Sequence, residues 1–170
     1  MHRLLSLLCF FVATVSYAQP PAMELTSHGF DPIEVTMPTI ANEKFIELSK
    51  SWAASLNRNT KGYDASNVTA NSIVISAYKK DAFFIRNKGE AFNYAITYSM
   101  KLSFHGTYYS LHFVIDDIYT EQDVLVKYKI PDYFTPEGDI KDDYKEMKPS
   151  LEKTVNDLAL SYHNFIVNYR

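Results

Sequence analysis

Cysteine is nearly absent: the 170-residue chain has one, Cys9, inside an apolar run close to the start. Beyond it, disulfides, thiolate metal sites and cysteine nucleophiles are excluded together. Basic clusters are missing too. Lys79-Lys80 and the pair Lys127 and Lys129 are the only close basic groups in a chain of formal net charge −3, whereas nucleic acid and anionic membrane surfaces both select for a local Lys/Arg excess. These lysines read as solubilising charge at strand ends. Glycine is scarce, at five residues, and forms no glycine-rich phosphate loop. The longest apolar run, Leu4 to Val15, falls short of the about 20 residues that a membrane-spanning helix requires.

What is present begins with a leader. His2 and Arg3 precede that run, and Ser16-Tyr17-Ala18 after it has the small-x-small form of a signal cleavage site. Cleavage after Ala18 takes Cys9 away, leaves 152 residues and, by removing Arg3, moves the net charge to −4. Leu7 and Leu8 before Cys9 do not fit a bacterial lipoprotein. An exported chain without cysteine favours a bacterial source and a periplasmic or secreted location. Asn67-Val68-Thr69 matches the N-glycosylation pattern, which has no meaning in most bacteria. The expected organisation is a signal peptide (1–18), a flexible lead-in (19–28) carrying Pro20 and Pro21, and a single domain (29–170).

Within the domain the clearest signal is the alternation of NYAITYSMKLSF, residues 93–104. Tyr94, Ile96, Tyr98, Met100, Leu102 and Phe104 fall on one side of a strand, with small or polar residues on the other. Strands are also expected at Pro32 to Met37, Ser72 to Ala77, Ala82 to Arg86, Thr107 to Tyr119 and Val124 to Ile130, the last an edge strand guarded by Lys127 and Lys129 and able to pair in a dimer. A two-residue turn at His105-Gly106 would pair Leu102 with Tyr109, Met100 with Leu111, Tyr98 with Phe113 and Ile96 with Ile115. Asn42 is placed as the N-cap of a helix to about Asn57, whose stripe is Phe45, Leu48, Trp52 and Leu56. From Ile140 onward Tyr144, Met147, Leu151, Val155, Leu158, Tyr162, Phe165 and Tyr169 predict a long amphipathic helix that Pro149 kinks or divides. Tyr133-Phe134 is expected as an aromatic anchor before it. The order strand, helix, antiparallel strands, helix makes an α+β fold, one sheet with both helices packed on its apolar face.

Chemistry is hard to find on this frame. Ser110, His112 and Asp116 share a strand face, but residues two apart on a strand are separated by about 6.6–6.8 Å, too far for a relay. Ser99 opposite His112 is the better pair, without an orienting carboxylate or oxyanion site. His28, His105, His112 and His163 show no ligand spacing, so no metal or other cofactor is expected. Asp116 and Asp117 are expected on opposite faces, and Asp142-Asp143 at a helix start, where negative charge suits the dipole. The thirteen tyrosines sit mostly at core-facing positions, and an alternative is that they line an amphipathic cavity.

Three stretches, GFDPIEVTMP, FFIRNKGEAFNYAITYSMKLSF and PDYFTPEGDIKDDYKEMKPSLEKTVNDLALSYHNFI, resemble a family of exported bacterial proteins of unknown function described as having a TATA-binding-protein-like (TBP-like) fold. The likeness covers Gly29 to Ile166 and implies a fold, with no functional residue to carry over. The fold's namesake binds DNA on its concave sheet face, but this chain lacks the basic, Phe-wedged surface for that. The architecture is also similar to helix-grip proteins, which hold apolar ligands between sheet and C-terminal helix, although their insertion after the first helix is absent.

The reading that results is a non-catalytic, exported binding module with an open sheet face formed by Thr97, Ser99, Lys101, Ser110 and His112, docking an unknown protein or glycan at the cell envelope. The alternatives are a carrier of a small apolar ligand between sheet and C-terminal helix, and a hydrolase using Ser99 and His112.

Overall fold

The computed structural model describes residues 19–56 and 62–169; the expected signal peptide, 1–18, lies outside them. Leu25–Thr26 (β1) turns back on Gly29–Phe30 (β2), and Ile33–Thr36 (β3) follows Pro32. Helix α1 (Asn42–Leu56) begins at Asn42 itself, because the Ala41 carbonyl accepts the first helical bond from Phe45 N–H at 3.0 Å. Then come Tyr63–Ser66 (β4), Ser72–Asn87 (β5), Glu90–Phe104 (β6), Tyr108–Thr120 (β7) and helix α2 (Met147–Val167). Among the described residues β3 to β7 form one antiparallel sheet in the order β3-β7-β6-β5-β4. Both helices lie on its apolar face, so the α+β expectation holds.

The central hairpin keeps the expected faces but not the expected partners. Its turn is centred on Gly106-Thr107, with His105 N–H bonding Tyr108 O at 2.9 Å and Gly106 at φ +89, a conformation glycine adopts without strain. Moving a turn by one residue moves every partner by two. Leu102 therefore faces Leu111, Met100 faces Phe113 and Tyr98 faces Ile115. Parity survives, so Ile73, Ile75, Ile96, Tyr98, Met100, Leu102, Leu111 and Phe113 still share the buried face. Stacked rings add to it: Phe45 on Phe104 at 4.9 Å and Tyr98 on Phe113 at 4.8 Å, pairs worth about 0.5–1.5 kcal/mol each beyond the area they bury.

Two bulges depart from strict alternation. β5 is one continuous strand, where two were expected, because a bulge between Lys79 and Phe83 with Asp81 at φ +50 bends it without ending it. β7 carries the second. Ile115 pairs with Tyr98 and Asp117 with Thr97, leaving Asp116 as an extra residue.

Elsewhere four expectations are corrected. Val124 to Ile130 is not a strand: Leu125 makes a single bridge to Tyr119, Val126 N–H reaches Ile118 O at 2.8 Å, and the chain then leaves toward a short 3-10 turn at Ile130–Tyr133. The last helix begins at Met147 rather than near Ile140, after a 3-10 turn at Asp142–Tyr144 that holds the two aspartates. Pro149 falls in the helix's first turn, where its missing N–H has no intrahelical partner to lose, and it breaks nothing. The stretch expected as a loose lead-in is docked in its second half. Met23 N–H donates to Asn156 Oδ1 and Leu25 N–H to Glu152 Oε1, each at 2.8 Å, and both side chains are buried. The Tyr133-Phe134 anchor is borne out, with both rings buried and Tyr133 set edge-on to Tyr144 at 4.9 Å.

Between helices and sheet lies an aromatic knot with two polar tethers. Tyr162 of α2 meets Trp52 and Tyr109 edge-on, each at 5.3 Å, and its hydroxyl pairs with Ser49 Oγ at 2.8 Å. His163 is buried beside it, with Nδ1 3.4 Å from the Tyr109 hydroxyl. Burial lowers the His163 pKa from its ordinary value of 6.5. The folded state thus holds the imidazole neutral while the unfolded chain takes up a proton below about pH 6.5. Stability is therefore complete above that pH and declines as the pH falls from it toward the folded-state pKa. Urea unfolding across this interval should show that slope, and His163→Gln should flatten it; an unchanged slope in the variant would assign the effect to other groups.

Candidate functional site

Because α1 and α2 cover one face of the sheet, the other is built from the opposite parity of each strand. Register places Asp64, Ser76, Ser99 and Val114 in one row across β4, β5, β6 and β7; Val74, Lys101 and His112 in the next; and Ser72, Ser103, Ser110 and Glu34 in a third. Thr97 lies between Tyr78 and Asp117 on the far side. All five residues expected on the open face, Thr97, Ser99, Lys101, Ser110 and His112, therefore lie on it. They fall in four successive rows rather than one cluster, because Thr97, Ser99 and Lys101 are each about 6.6–6.8 Å from the next along β6.

Two expected relationships fail. Ser99 does not face His112: the two-residue shift puts His112 opposite Lys101 and Val114 opposite Ser99. Its hydroxyl instead donates to Asp116 Oδ2 at 2.7 Å and meets Ser76 Oγ at 2.9 Å. A serine whose proton is held by a carboxylate, with no histidine beside it, is not an activated nucleophile. Asp116 and Asp117 do not point to opposite faces either. The bulge puts Asp116 on the open face, while Asp117 turns to Lys129 at the sheet edge, Oδ1 to Nζ 2.7 Å. Lys129 also bonds the Asp116 carbonyl at 3.0 Å and so clamps the bulge from outside.

These contacts set direction in the hydroxyl chain. Ser99 has one proton and gives it to Asp116, so Ser76 must donate to Ser99. The chain runs Ser76 to Ser99 to Asp116, leaving Ser76 Oγ with acceptor capacity.

At the far end Tyr78 of β5 and Tyr119 of β7 close across β6, with ring centroids 6.0 Å apart and planes at 57°. Ala95, the partner of Tyr119, is only 3% exposed although no described helix covers this face. The Tyr78 hydroxyl donates to Asp123 Oδ1 at 2.7 Å. Burial first, and that bond second, push its pKa up to about 12, so it remains a donor at neutral pH. The result is a concavity of ≈ 400 Å³ whose lining includes Ser76, Thr97, Asp64 and Asp116 together with the Tyr78–Tyr119 pair and the apolar surface of Tyr63, Ala77 and Tyr98. A second hollow of ≈ 270 Å³ opens at the β7 edge against Phe30, Ile118 and Ile130.

Tyr78, Tyr119, Asp64, Ser76 and Asp116 were missed as site residues by sequence reasoning. Asp116 had a signal: Ile115 and Ile118, both apolar, stand three apart in a strand of period two, the mark of one inserted residue.

No family model matches this chain, and no curated protein matches it. Among solved structures it is similar to a TBP-like protein from Parabacteroides distasonis, at 14% sequence identity and a TM-score of 0.60 over 82% of this chain and 93% of that one. It is also similar to a DUF4468 family protein from Bacteroides ovatus, at 11% identity and a TM-score of 0.53 over 76% of this chain and 78% of that one. Identities this low carry the fold alone. Five antiparallel strands with two helices on one face, matched across most of both chains, make this a TBP-like fold.

Proposed function

We propose that the chain is an exported bacterial binding module of the cell envelope, without catalysis, that docks a protein or glycan on its open sheet face. The observation that carries this reading is the asymmetry of the sheet: one face lies under α1 and α2, and the other presents hydroxyls, carboxylates and a tyrosine pair around a concavity. A face built for solvent alone has no need of a directed hydroxyl chain or a bulge that adds a carboxylate. The leader at residues 1–18 supports export, as does the absence of cysteine after it. No described helix is long and apolar enough to cross a membrane. The carrier alternative draws less support, because Trp52, Tyr98, Tyr109, Phe113 and Tyr162 fill the space between helices and sheet, each at most 2% exposed.

The test is a paired capture from envelope extract with the wild type and the double variant Thr97→Glu, Ser110→Glu. Both sites are on the open face, so the variant should keep its melting temperature and lose a component that the wild type retains. Identical captured sets from two folded proteins would sink the reading.

A further inference from the structure

We infer that Glu121 to Lys129 form a docking edge for a second copy of this chain, paired antiparallel about a two-fold axis at Leu125. Val124, Leu125 and Tyr128 are each more than half exposed, three large apolar side chains within five residues. Scattered exposed apolar residues are ordinary, whereas a cluster marks a contact. The backbone fixes what kind of contact it is. Thr120 N–H bonds Val124 O at 2.9 Å and Val126 N–H bonds Ile118 O at 2.8 Å, so the residues on either side of Leu125 hold the segment to β7. Leu125, bridged to Tyr119 between those two bonds, therefore turns its own N–H and C=O away from β7. Neither has a partner among the described residues. An outward donor and acceptor on one residue are both satisfied by an extended backbone laid alongside.

Charge says which backbone. The stretch reads Glu-Gln-Asp-Val-Leu-Val-Lys-Tyr-Lys, with acids before Leu125 and bases after it at matching distances. Antiparallel pairing about Leu125 sets Asp123 of one copy opposite Lys127 of the other, Glu121 opposite Lys129 and Val124 opposite Val126, each contact made twice. A slip of two residues in either direction keeps only one of the charge pairs and sets a charge against Leu125. Asp123 accepts from Tyr78, and Lys129 donates to Asp117. A carboxylate has room for more than one donor and an ammonium carries three protons, so both can make the added contact. Lysines on an edge keep strands at large away, and these admit a strand that brings acids in register. The ladder then runs from one β7 to the other. Its axis stands perpendicular to the sheet, so both open faces point the same way.

The experiment is sedimentation of the exported chain from about 1 μM to 1 mM, with the amide signals of Val124 to Lys127 followed over the same range by ¹H–¹⁵N NMR. The wild type should pass from monomer to dimer, and those amides should move with it. Leu125→Pro removes the outward N–H and spares both bonds to β7, so it should stay folded and associate at least about tenfold more weakly. Lys127→Glu alone and Asp123→Lys alone set like charges opposite each other and should be monomeric. An equimolar mixture of the two should dimerise, because both pairs are then of opposite sign. Should Asp123→Lys lose its fold with the Tyr78 bond, Leu125→Pro and Lys127→Glu carry the test. A monomer at every concentration, or a dimer unchanged in those two variants, would overturn the inference. Amides that move only when envelope extract is added would overturn it too, in favour of a different protein on this edge. The capture experiment with Thr97→Glu, Ser110→Glu is independent of these outcomes, so the open-face reading stands or falls apart from this one.

Discussion

Tyr162→Ala should destabilise the protein by about 3–5 kcal/mol, the range found for removing a buried aromatic ring. Tyr162 is completely buried, sits edge-on to both Trp52 and Tyr109, and joins α1 to α2 through Ser49. Against a typical total of about 5–15 kcal/mol this is a large fraction, and in a chain of this length it corresponds to a fall in melting temperature of about 10 °C or more. Tyr162→Phe should cost only about 1 kcal/mol. The reason is the second bond of Ser49, whose hydroxyl also donates to Phe45 O at 2.8 Å, so removing the tyrosine hydroxyl leaves no buried donor without a partner. Urea unfolding of both variants checks the pair. If the alanine variant loses no more than the phenylalanine one, the two-helix contact is not where the stability lies.

Deleting Asp116 should remove ligand capture by the open face while leaving the fold in place. On one side of the bulge Tyr98 pairs with Ile115, and on the other Thr97 pairs with Asp117 and Ile96 with Ile118. Taking out the residue between them closes the ladder with every apolar side chain still on the core face. The losses are the exposed Ser99–Asp116 bond and the Lys129 clamp on the Asp116 carbonyl, together about 1–2 kcal/mol. Binding should weaken by about tenfold or more, because a flanking carboxylate is gone and the strand loses the extra twist that a bulge imposes. Asp116→Ala keeps the residue count and separates the two causes. Contacts between Ile96 and Ile118 in NMR spectra report the register directly; their disappearance would show that the extra residue holds the ladder together.

Much of this architecture was legible because it is periodic. The stripe of Phe45, Leu48 and Trp52 marks α1, and the alternation from Tyr94 to Phe104 separates core from open face with no knowledge of partners. Register was not legible. With the turn at His105-Gly106 or at Gly106-Thr107, apolar residues meet apolar residues either way, and the choice falls to backbone geometry at a single glycine. The shift decided the candidate site, since it dissolved the Ser99–His112 pair and placed Lys101 beside His112. β4 escaped notice because Tyr63, Asp64, Ala65 and Ser66 carry one large apolar side chain among them, and a short edge strand asks for no more. Val124 to Ile130 misled in the opposite sense: its residues favour a strand, yet only its first part finds β7 free before the chain turns at Pro131. The concavity was out of reach because it depends on how Tyr78 and Tyr119, from two strands on either side of β6, meet across it, and no local pattern encodes that.

The docking of Met23 and Leu25 on α2 reaches beyond the two hydrogen bonds that make it. Asn156 both accepts from Met23 N–H and donates to Met23 O at 3.0 Å, and Lys148 caps Leu25 O at 2.9 Å, so residues 123 to 133 positions apart clasp each other. The segment that carries β1 is made well before α2, the helix it docks on, and waits for it. Until α2 is made, β1 has no partner helix and the sheet's apolar face has no second cover. Such a chain cannot complete itself from the front end, and it stays threadable for as long as its tail is missing.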